Sequence, residues 1–251
     1  MINAPSESIR LNKFIAQCGV TSRRGADEMV FAGRVTVNGS VADSPGVKID
    51  PACDDVCVDG KSIGQKASAD DVTLILHKPV ETVTTAKDPQ GRKTVLDLLP
   101  PEIRKRRPFP VGRLDFFSEG LLLLTTDGDL CYRLTHPKYH LPKVYLVTIR
   151  GSVPQSAVLT MRQGMTLKEG EKLAPAKVRV KKPIAGTQQL EITLIQGINR
   201  QIRRMCDELG LTILRLMRVS QGPVALGDLK RGAWRELTAE EIAALKKDVG
   251  L

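Results

Sequence analysis

A run of four leucines at 121–124 sets the first condition on the fold of this chain. The run is followed by Asp127 and Gly128, which predicts a short buried strand closed by a turn. An Arg-Leu-Asp step, Arg113 to Asp115, stands just before it. An ionised carboxylate beside apolar packing is costly unless a cation or hydrogen bonds hold it. Asp115 is therefore either a loop residue that caps a turn or pairs with Arg113, or a functional group.

The composition indicates a globular chain without a membrane segment. With 251 residues, 41% of them hydrophobic, the chain suits one large domain or a small domain followed by a larger one. No apolar run approaches the roughly 20 residues of a membrane span, and the start, MINAPSESIRLNKF, lacks the features of a secretory signal. Five cysteines without a CxxC pair argue against a disulfide framework and a structural zinc site. We therefore expect a cytoplasmic protein with reduced thiols and no metal.

The charge balance favours a polyanionic partner. The formal net charge is +10 and the sequence pI is about 9.5. A generically basic protein would show the same totals, so the clustering of the charges decides the interpretation.

Residues 8–64 form a separate small unit in which the basic residues do cluster. The pattern predicts two short helices, the second capped by Thr21 or Ser22, then a hairpin with an Asn-Gly turn and a strand closed by Asp-Gly. Five aspartates lie in the strand half. The helical half carries the cations predicted to contact a phosphate backbone, which are Arg10, Lys13, Arg23, Arg24 and Arg34.

The string RLNKFIAQCGVTSRRGADEMVFAGRVTVNG resembles the alpha-L RNA-binding motif, named after a small-subunit ribosomal protein. The resemblance implies that the helical face binds structured RNA. A solvated helical surface is the alternative that the residues alone leave open.

The rest of the chain predicts an α+β domain at 72–248, joined by a polar linker at 65–71. Several segments have the alternation of strands, and they do not follow the regular order of a doubly wound sheet. We expect a mixed, mainly antiparallel sheet. Pro154 and Gly164 should bound one helix, and Thr238 and Glu241 should form a capping box at the last one.

The string GINRQIRRMCDELG predicts a helix capped by Asn199. Relative to the buried Ile202, Arg203 lies about 100° and Arg204 about 200° round the helix. Arg203 can therefore reach an inward carboxylate, favouring its ionised form and fixing its orientation, whereas Arg204 should point to solvent or RNA. An ordinary structural ion pair would explain Arg203 equally well.

Other cations are candidates for RNA contact. Arg113 could hold phosphate or pair within its loop, and the run RKRR could be a phosphate contact or a solvated face. Arg215 and Arg218 are predicted to share one face of a strand. The remaining predicted RNA contacts are Arg104, Lys105, Arg106, Arg107, Arg113, Arg200 and Arg204.

Four strings in order, VGRLDFFSEGLLLLTTDGDL, KVYLV, QGINRQIRRMCDELG and LKRGAWREL, resemble the RsuA/RluB/RluF-type ribosomal RNA pseudouridine synthases. With the N-terminal motif, the resemblance covers roughly residues 8 to 245. It implies that Asp115 is the catalytic residue, that Tyr145 lines the uracil pocket and that Arg203 pairs with Asp115. It also implies isomerisation of uridine to pseudouridine without a cofactor.

The sequence constrains the RNA target less than it constrains the reaction. Likeness to the large-subunit types favours 23S ribosomal RNA, in free form or in an assembling particle, and a monomer without membrane attachment. A 16S target and a non-catalytic ribosome-assembly protein are the alternatives. The chain departs from the family at Glu81, where glycine is usual, at the aromatic pair Phe116 and Phe117, and at Ile198.

Overall fold

The computed structural model describes residues 8–64 and 71–251. The chain divides between Asp71 and Val72 into two compact units. The predicted linker at 65–71 lies outside the described residues, apart from Asp71.

The N-terminal unit packs two helices and a small sheet around one core. A four-stranded antiparallel sheet has the order β3-β2-β5-β6, and β1 pairs with β4. Its elements are β1 Ile9–Arg10, α1 Leu11–Gln17, α2 Arg23–Phe31, β2 Val35–Val37, β3 Ser40–Val41, β4 Lys48–Ile49, β5 Val56–Val58 and β6 Lys61–Ser62.

Local sequence explains the turns and caps of this unit. The Ser22 side chain accepts a hydrogen bond from the Gly25 N–H, which caps α2. The predicted Asn-Gly turn is present, and Asn38 and Gly39 both have positive φ. Such a pair of left-handed residues matches the twist of a tight hairpin.

The second unit is built on a nine-stranded sheet with the order β11-β12-β10-β13-β9-β7-β15, while β14 pairs with β13 and β8 with β9. Its elements are β7 Thr73–Lys78, α3 Pro101–Lys105, β8 Phe109–Pro110, β9 Glu119–Thr125, α4 Gly128–Thr135, β10 Lys143–Arg150, α5 Gln155–Gln163, β11 Lys177–Val180, β12 Thr187–Leu194, α6 Gln201–Glu208, β13 Ile213–Gln221, β14 Val224–Ala225, β15 Trp234–Glu236 and α7 Ala239–Asp248.

Among the described strands, β13 and β9 form the parallel pair, through Met217–Glu119 and Arg218–Gly120, and the other ladders are antiparallel. The predicted α+β class with a mixed, mainly antiparallel sheet is therefore confirmed. None of the helices in the described part of the chain is long and apolar enough to cross a membrane.

The leucine run forms the centre of β9 and is buried on both faces. Leu121 and Leu123 belong to a cluster with residues of α4 and α7, whereas Leu122 and Leu124 belong to a cluster with β7. All four are 0% exposed. Asp127 accepts hydrogen bonds from two N–H groups of α4, so it caps that helix.

Two local predictions are wrong. The cap of α6 is Arg200, in the left-handed conformation with φ 50°, so Asn199 lies one residue outside the helix. Arg215 and Arg218 do not share a face, because residues three apart in a strand point to opposite sides. Arg215 pairs with Glu119, whereas Arg218 donates from Nε to the Leu121 carbonyl.

The predicted boundaries of α5 and the predicted start of α7 are confirmed. Pro154 precedes α5 and Gly164 follows it. Thr238 and Glu241 form the expected capping box on α7.

Candidate active site

A buried lysine holds the loop that carries Asp115. Lys78, at the end of β7, is 0% exposed. Its Nζ donates to the backbone carbonyls of Pro79 (2.9 Å), Asp115 (3.0 Å) and Ser118 (2.8 Å). Burial lowers the pKa of Lys78 to about 8. Because one ammonium bridges three carbonyls, the turn at 115–118 is tied to the end of a central strand.

Two further hydrogen bonds fix the same loop. Thr84 Oγ1 donates to the Leu114 carbonyl at 2.7 Å, and the Glu81 N–H donates to the Phe116 carbonyl at 2.7 Å. Glu81 makes this bond from a left-handed conformation with φ 59°. Glycine adopts this conformation without steric cost. This gives a physical reason for the glycine that is usual at this position in the family that the chain resembles.

Two arginines from the start of α6 face the Asp115 carboxylate. Arg203 Nε lies 3.5 Å and Arg200 Nη1 lies 3.8 Å from Asp115 Oδ2. Arg203 also donates from Nη2 to the Phe117 carbonyl (2.7 Å) and to Ser118 Oγ (3.0 Å). Desolvation lowers the pKa of Arg203, against the opposing effect of the Asp115 charge. The predicted contact between Arg203 and Asp115 is present, and α6 is joined to the Asp115 loop through it.

Asp115 lines a cavity of about 460 Å³ together with Tyr145, Arg113, Arg200 and Arg203. A cavity of this size is within the range of about 300–1,000 Å³ usual for small-molecule pockets. Tyr145 comes from β10 and packs against two of the hydrophobic clusters of the unit. Asp115 remains 31% exposed, so a substrate can approach the carboxylate.

The predicted RNA contacts divide by location. Arg113 and Arg200 line the cavity. Arg104 and Lys105 end α3, and Arg106 pairs with Glu236 at 3.5 Å. In the N-terminal unit, Arg34 makes a two-pronged pair with Asp59; Arg10, Lys13, Arg23 and Arg24 lie in or beside the two helices.

Arg204 departs from its predicted orientation. Its guanidinium pairs with Glu169 (2.7 Å) and Glu171 and is 20% exposed. The helical angle was right, but two acidic side chains from the 169–171 turn cover that side of α6. Arg204 is therefore bound by two carboxylates of the same chain.

The sequence did not reveal Lys78, which lies beneath the loop, or Gln201 and Gln221, which line the cavity. Arg218 was named only for its face of a strand, and it lines the cavity as well. A usable signal existed for Lys78, because a lysine that ends an apolar strand must find partners for a buried charge. No group of three or more His, Cys, Asp or Glu side chains among the described residues could hold a metal ion.

Comparison with known proteins places the chain in a family. The model of the RNA pseudouridylate synthase family matches residues 72–208, and that of the S4 domain matches residues 9–56. The chain belongs to the RNA pseudouridylate synthase family. The predicted family, an RNA-modifying isomerase preceded by an RNA-binding S4 domain, is confirmed.

Proteins similar to this chain match it over nearly the full length of both partners. An uncharacterized RNA pseudouridine synthase of Aquifex aeolicus (strain VF5) is 43% identical, over 97% of this chain and 96% of that protein. The ribosomal large subunit pseudouridine synthase B of Bacillus subtilis (strain 168) is 37% identical, over 94% and 95%. A crystal structure of a pseudouridylate synthase is 29% identical, with a TM-score of 0.67, over 95% of this chain and 100% of that chain.

Proposed function

We propose that this pseudouridine synthase modifies a uridine of 23S ribosomal RNA, with Asp115 as the residue that begins the reaction and without a cofactor. The observation that carries the proposal is the Asp115 carboxylate, held by Arg200 and Arg203 in the cavity that Tyr145 also lines. The fixed carboxylate is in place before substrate binds, so little reorganisation is needed at the reacting carbon.

The reaction exchanges one bond for another. The glycosidic bond between N1 and C1′ breaks and a bond between C5 and C1′ forms, while C5 loses one proton and N1 gains one. Electrons and atoms balance without an oxidant or a group donor. Asp115 acts either by attacking C1′ or by assisting a glycal intermediate, and both routes need an ionised carboxylate beside the sugar.

Tyr145 is proposed to pack against the uracil and to help remove the C5 proton. The target nucleotide must leave its stack to enter a cavity, at a cost of a few kcal/mol. Arg113 and Arg200, at the cavity, are proposed to hold the phosphates beside the flipped nucleotide.

The 23S target is supported by the Bacillus subtilis relative, whose name assigns it to the ribosomal large subunit. The S4 domain and the net charge of +10 support binding to RNA, free or in an assembling particle. We place the protein in the cytoplasm, as a monomer.

The Asp115→Asn substitution tests the catalytic assignment. It removes the charge while keeping the size of the side chain, and should lower the single-turnover rate of pseudouridine formation by roughly 10³-fold or more. The affinity for 23S ribosomal RNA should stay within about threefold, because phosphate contacts supply most of it. Asp228→Asn, at an exposed aspartate outside the cavity, is the matched control and should keep the wild-type rate. A normal rate in Asp115→Asn would exclude the assignment.

Pseudouridine maps of ribosomal RNA from cells with and without the gene test the target. We expect a modified 23S uridine to be lost in the deletion and restored by the wild-type protein but not by Asp115→Asn. Loss of a 16S site would correct the subunit. An unchanged map would favour the non-catalytic assembly protein.

A further inference from the structure

Four buried polar atoms on residues that line the active-site cavity have no hydrogen-bond partner among the described residues. One of them, Arg203 Nε, lies 3.5 Å from Asp115 Oδ2 in an ion pair. The other three are Arg218 Nη2, Gln221 Oε1 and Gln201 Oε1, on residues that are 3%, 1% and 4% exposed. A buried donor or acceptor without a partner is unfavourable, and unpaired groups of this kind are rare in folded proteins. Their concentration in one cavity indicates that a ligand supplies the missing partners.

A β-bulge brings two of these groups beside Tyr145. In the ladder between β10 and β13, Tyr145 is opposite Arg218, whereas Val144 is opposite Ser220, so Val219 is an extra residue. A bulge of this kind shifts the following side chains to the other face of the strand. Gln221, opposite Lys143, therefore shares the cavity face with Arg218, although the two are three residues apart.

A hydrogen bond to the backbone fixes the orientation of the Arg218 guanidinium, the donor of this pair. Arg218 Nε donates to the Leu121 carbonyl at 2.7 Å, which sets the plane of the guanidinium and leaves Nη2 without a partner. Gln221 Oε1 lies on the same face as an unpaired acceptor. Two residues of the cavity wall thus carry an unpaired donor and an unpaired acceptor, beside the tyrosine proposed to stack on the base.

We propose that Arg218 and Gln221 recognise the edge of the target uracil. Gln221 Oε1 accepts the N3–H, and Arg218 Nη2 donates to a neighbouring carbonyl oxygen. The inference rests on the proposed function and names how that site selects its base. Cytosine would place the lone pair of its N3 against the Gln221 oxygen, so this arrangement disfavours it.

The same pair of contacts suits both halves of the reaction. When the bond from N1 to C1′ breaks, its electron pair passes to the uracil and spreads over N1, O2 and O4. The cationic Arg218 stabilises this charge on the oxygen that it contacts. Turning the ring about the line from N3 to C6 exchanges N1 with C5 and O2 with O4, and leaves N3–H in place. After C5 bonds to C1′ and loses its proton, and N1 gains one, the product presents the same edge.

The Gln221→Met variant tests the proposal, because it keeps the length of the side chain and removes the acceptor. The readout is tritium release from 23S ribosomal RNA transcripts labelled at C5 of uridine, under single turnover. We expect the maximal rate to fall about 10- to 100-fold, from the loss of one buried hydrogen bond, with half-saturation by RNA unchanged within threefold. The melting temperature should stay the same or rise, because an unpaired buried amide is removed. Gln221→Glu, which retains an acceptor, should recover part of the rate.

Gln189→Met is the matched control, at a glutamine of β12 in the same sheet but outside the cavity, and should keep the wild-type rate. A wild-type rate in Gln221→Met would overturn the base-reading inference, as would a loss of rate in Gln201→Met with none in Gln221→Met. A lowered melting temperature together with the lost rate would assign Gln221 a structural role and also overturn it. If the wild-type protein itself releases no tritium from the transcripts, it is the proposed function that fails.

Discussion

At the scale of single residues, Lys78 positions the Asp115 loop although it does not line the cavity. Its ammonium provides one N–H for each of three carbonyls around the Asp115 turn. A neutral amine has two N–H groups, so deprotonation must leave one of those carbonyls without its donor.

Because Lys78 must be protonated to hold all three carbonyls, we expect activity to fall at alkaline pH. The maximal rate should fall as pH rises above about 8, the pKa to which burial lowers Lys78, because the turn that positions Asp115 loosens. A pH profile of the single-turnover rate measures it. Burial also lowers the pKa of Lys143 to about 8, so the Lys143→Arg variant is the control. If the fall at alkaline pH disappears in that variant, Lys143 is responsible and the prediction is wrong.

The left-handed backbone at Glu81 predicts a stabilising substitution. Glu81→Gly should raise the free energy of unfolding by about 1 kcal/mol, because a residue with a Cβ is strained at φ 59°. Urea denaturation is the measurement. Glu81→Ala removes the carboxylate but keeps the strain, so it should change stability by less than about 0.5 kcal/mol. Equal stabilisation by both variants would point to the charge instead.

The residues of the site were predictable where a local string carried them. Asp115, Tyr145 and Arg203 came from short motifs, and all three line one cavity. The place of Lys78 beneath the loop and that of Arg218 in the cavity were missed, because their partners lie 37 and 97 positions away in the chain. Such contacts exist only once the sheet is assembled.

At the scale of elements, β9 is the strand on which the second unit depends. Its leucines alternate between two hydrophobic clusters, so neither face is exposed. In most antiparallel sheets one face is solvated and a strand tolerates polar residues at every second position; β9 has no such position among its leucines.

Alanine at either face of β9 should therefore be equally damaging. Leu122→Ala and Leu123→Ala should each lower the free energy of unfolding by about 2–5 kcal/mol. Leu214→Ala on β13, where the side chain is 47% exposed, should cost less than about 1 kcal/mol. Thermal or urea unfolding of the three variants distinguishes these cases. A small effect at one of the two buried positions would show that its cluster can repack.

Elements were predictable to the extent that their signals are local. The helix ends at Ser22, Pro154 and Thr238 follow from capping chemistry. The start of α6 was misplaced because Arg200 adopts a left-handed conformation that arginine does not signal. The order of the strands could not be read from the sequence, since hydrophobic alternation identifies a strand but not its neighbours.

At the scale of the whole molecule, buried lysines and cysteines act on stability in opposite directions. Burial lowers the pKa of Lys78 and Lys143 to about 8, so the folded protein loses these protons while the unfolded chain still holds them, and stability rises with pH from about 8. Burial raises the pKa of Cys18 and Cys131 to about 11 and of Cys206 to about 12. The unfolded chain then loses thiol protons first, and stability falls above about pH 9.

The free energy of unfolding should therefore pass through a maximum near pH 9, higher than at pH 7 by on the order of 1 kcal/mol. Urea titrations at a series of pH values measure it. Cys206→Ser should change this curve above pH 9 more than below it. Only above about pH 9 does the thiol of the unfolded chain lose its proton while the buried thiol keeps it. A monotonic decline from pH 7 would contradict the burial of the two lysines.

The parallel contact between β13 and β9 also affects how the chain is made. It consists of two residue pairs, and Arg218 is synthesised about a hundred positions after Gly120. At about 5–20 residues per second, the Glu119–Gly120 end of the β9 edge waits several seconds or more on a translating ribosome before its partner strand is made. An exposed strand edge of this kind invites aggregation. Synthesis of this protein should therefore depend on chaperones more than the stability of its finished fold would suggest.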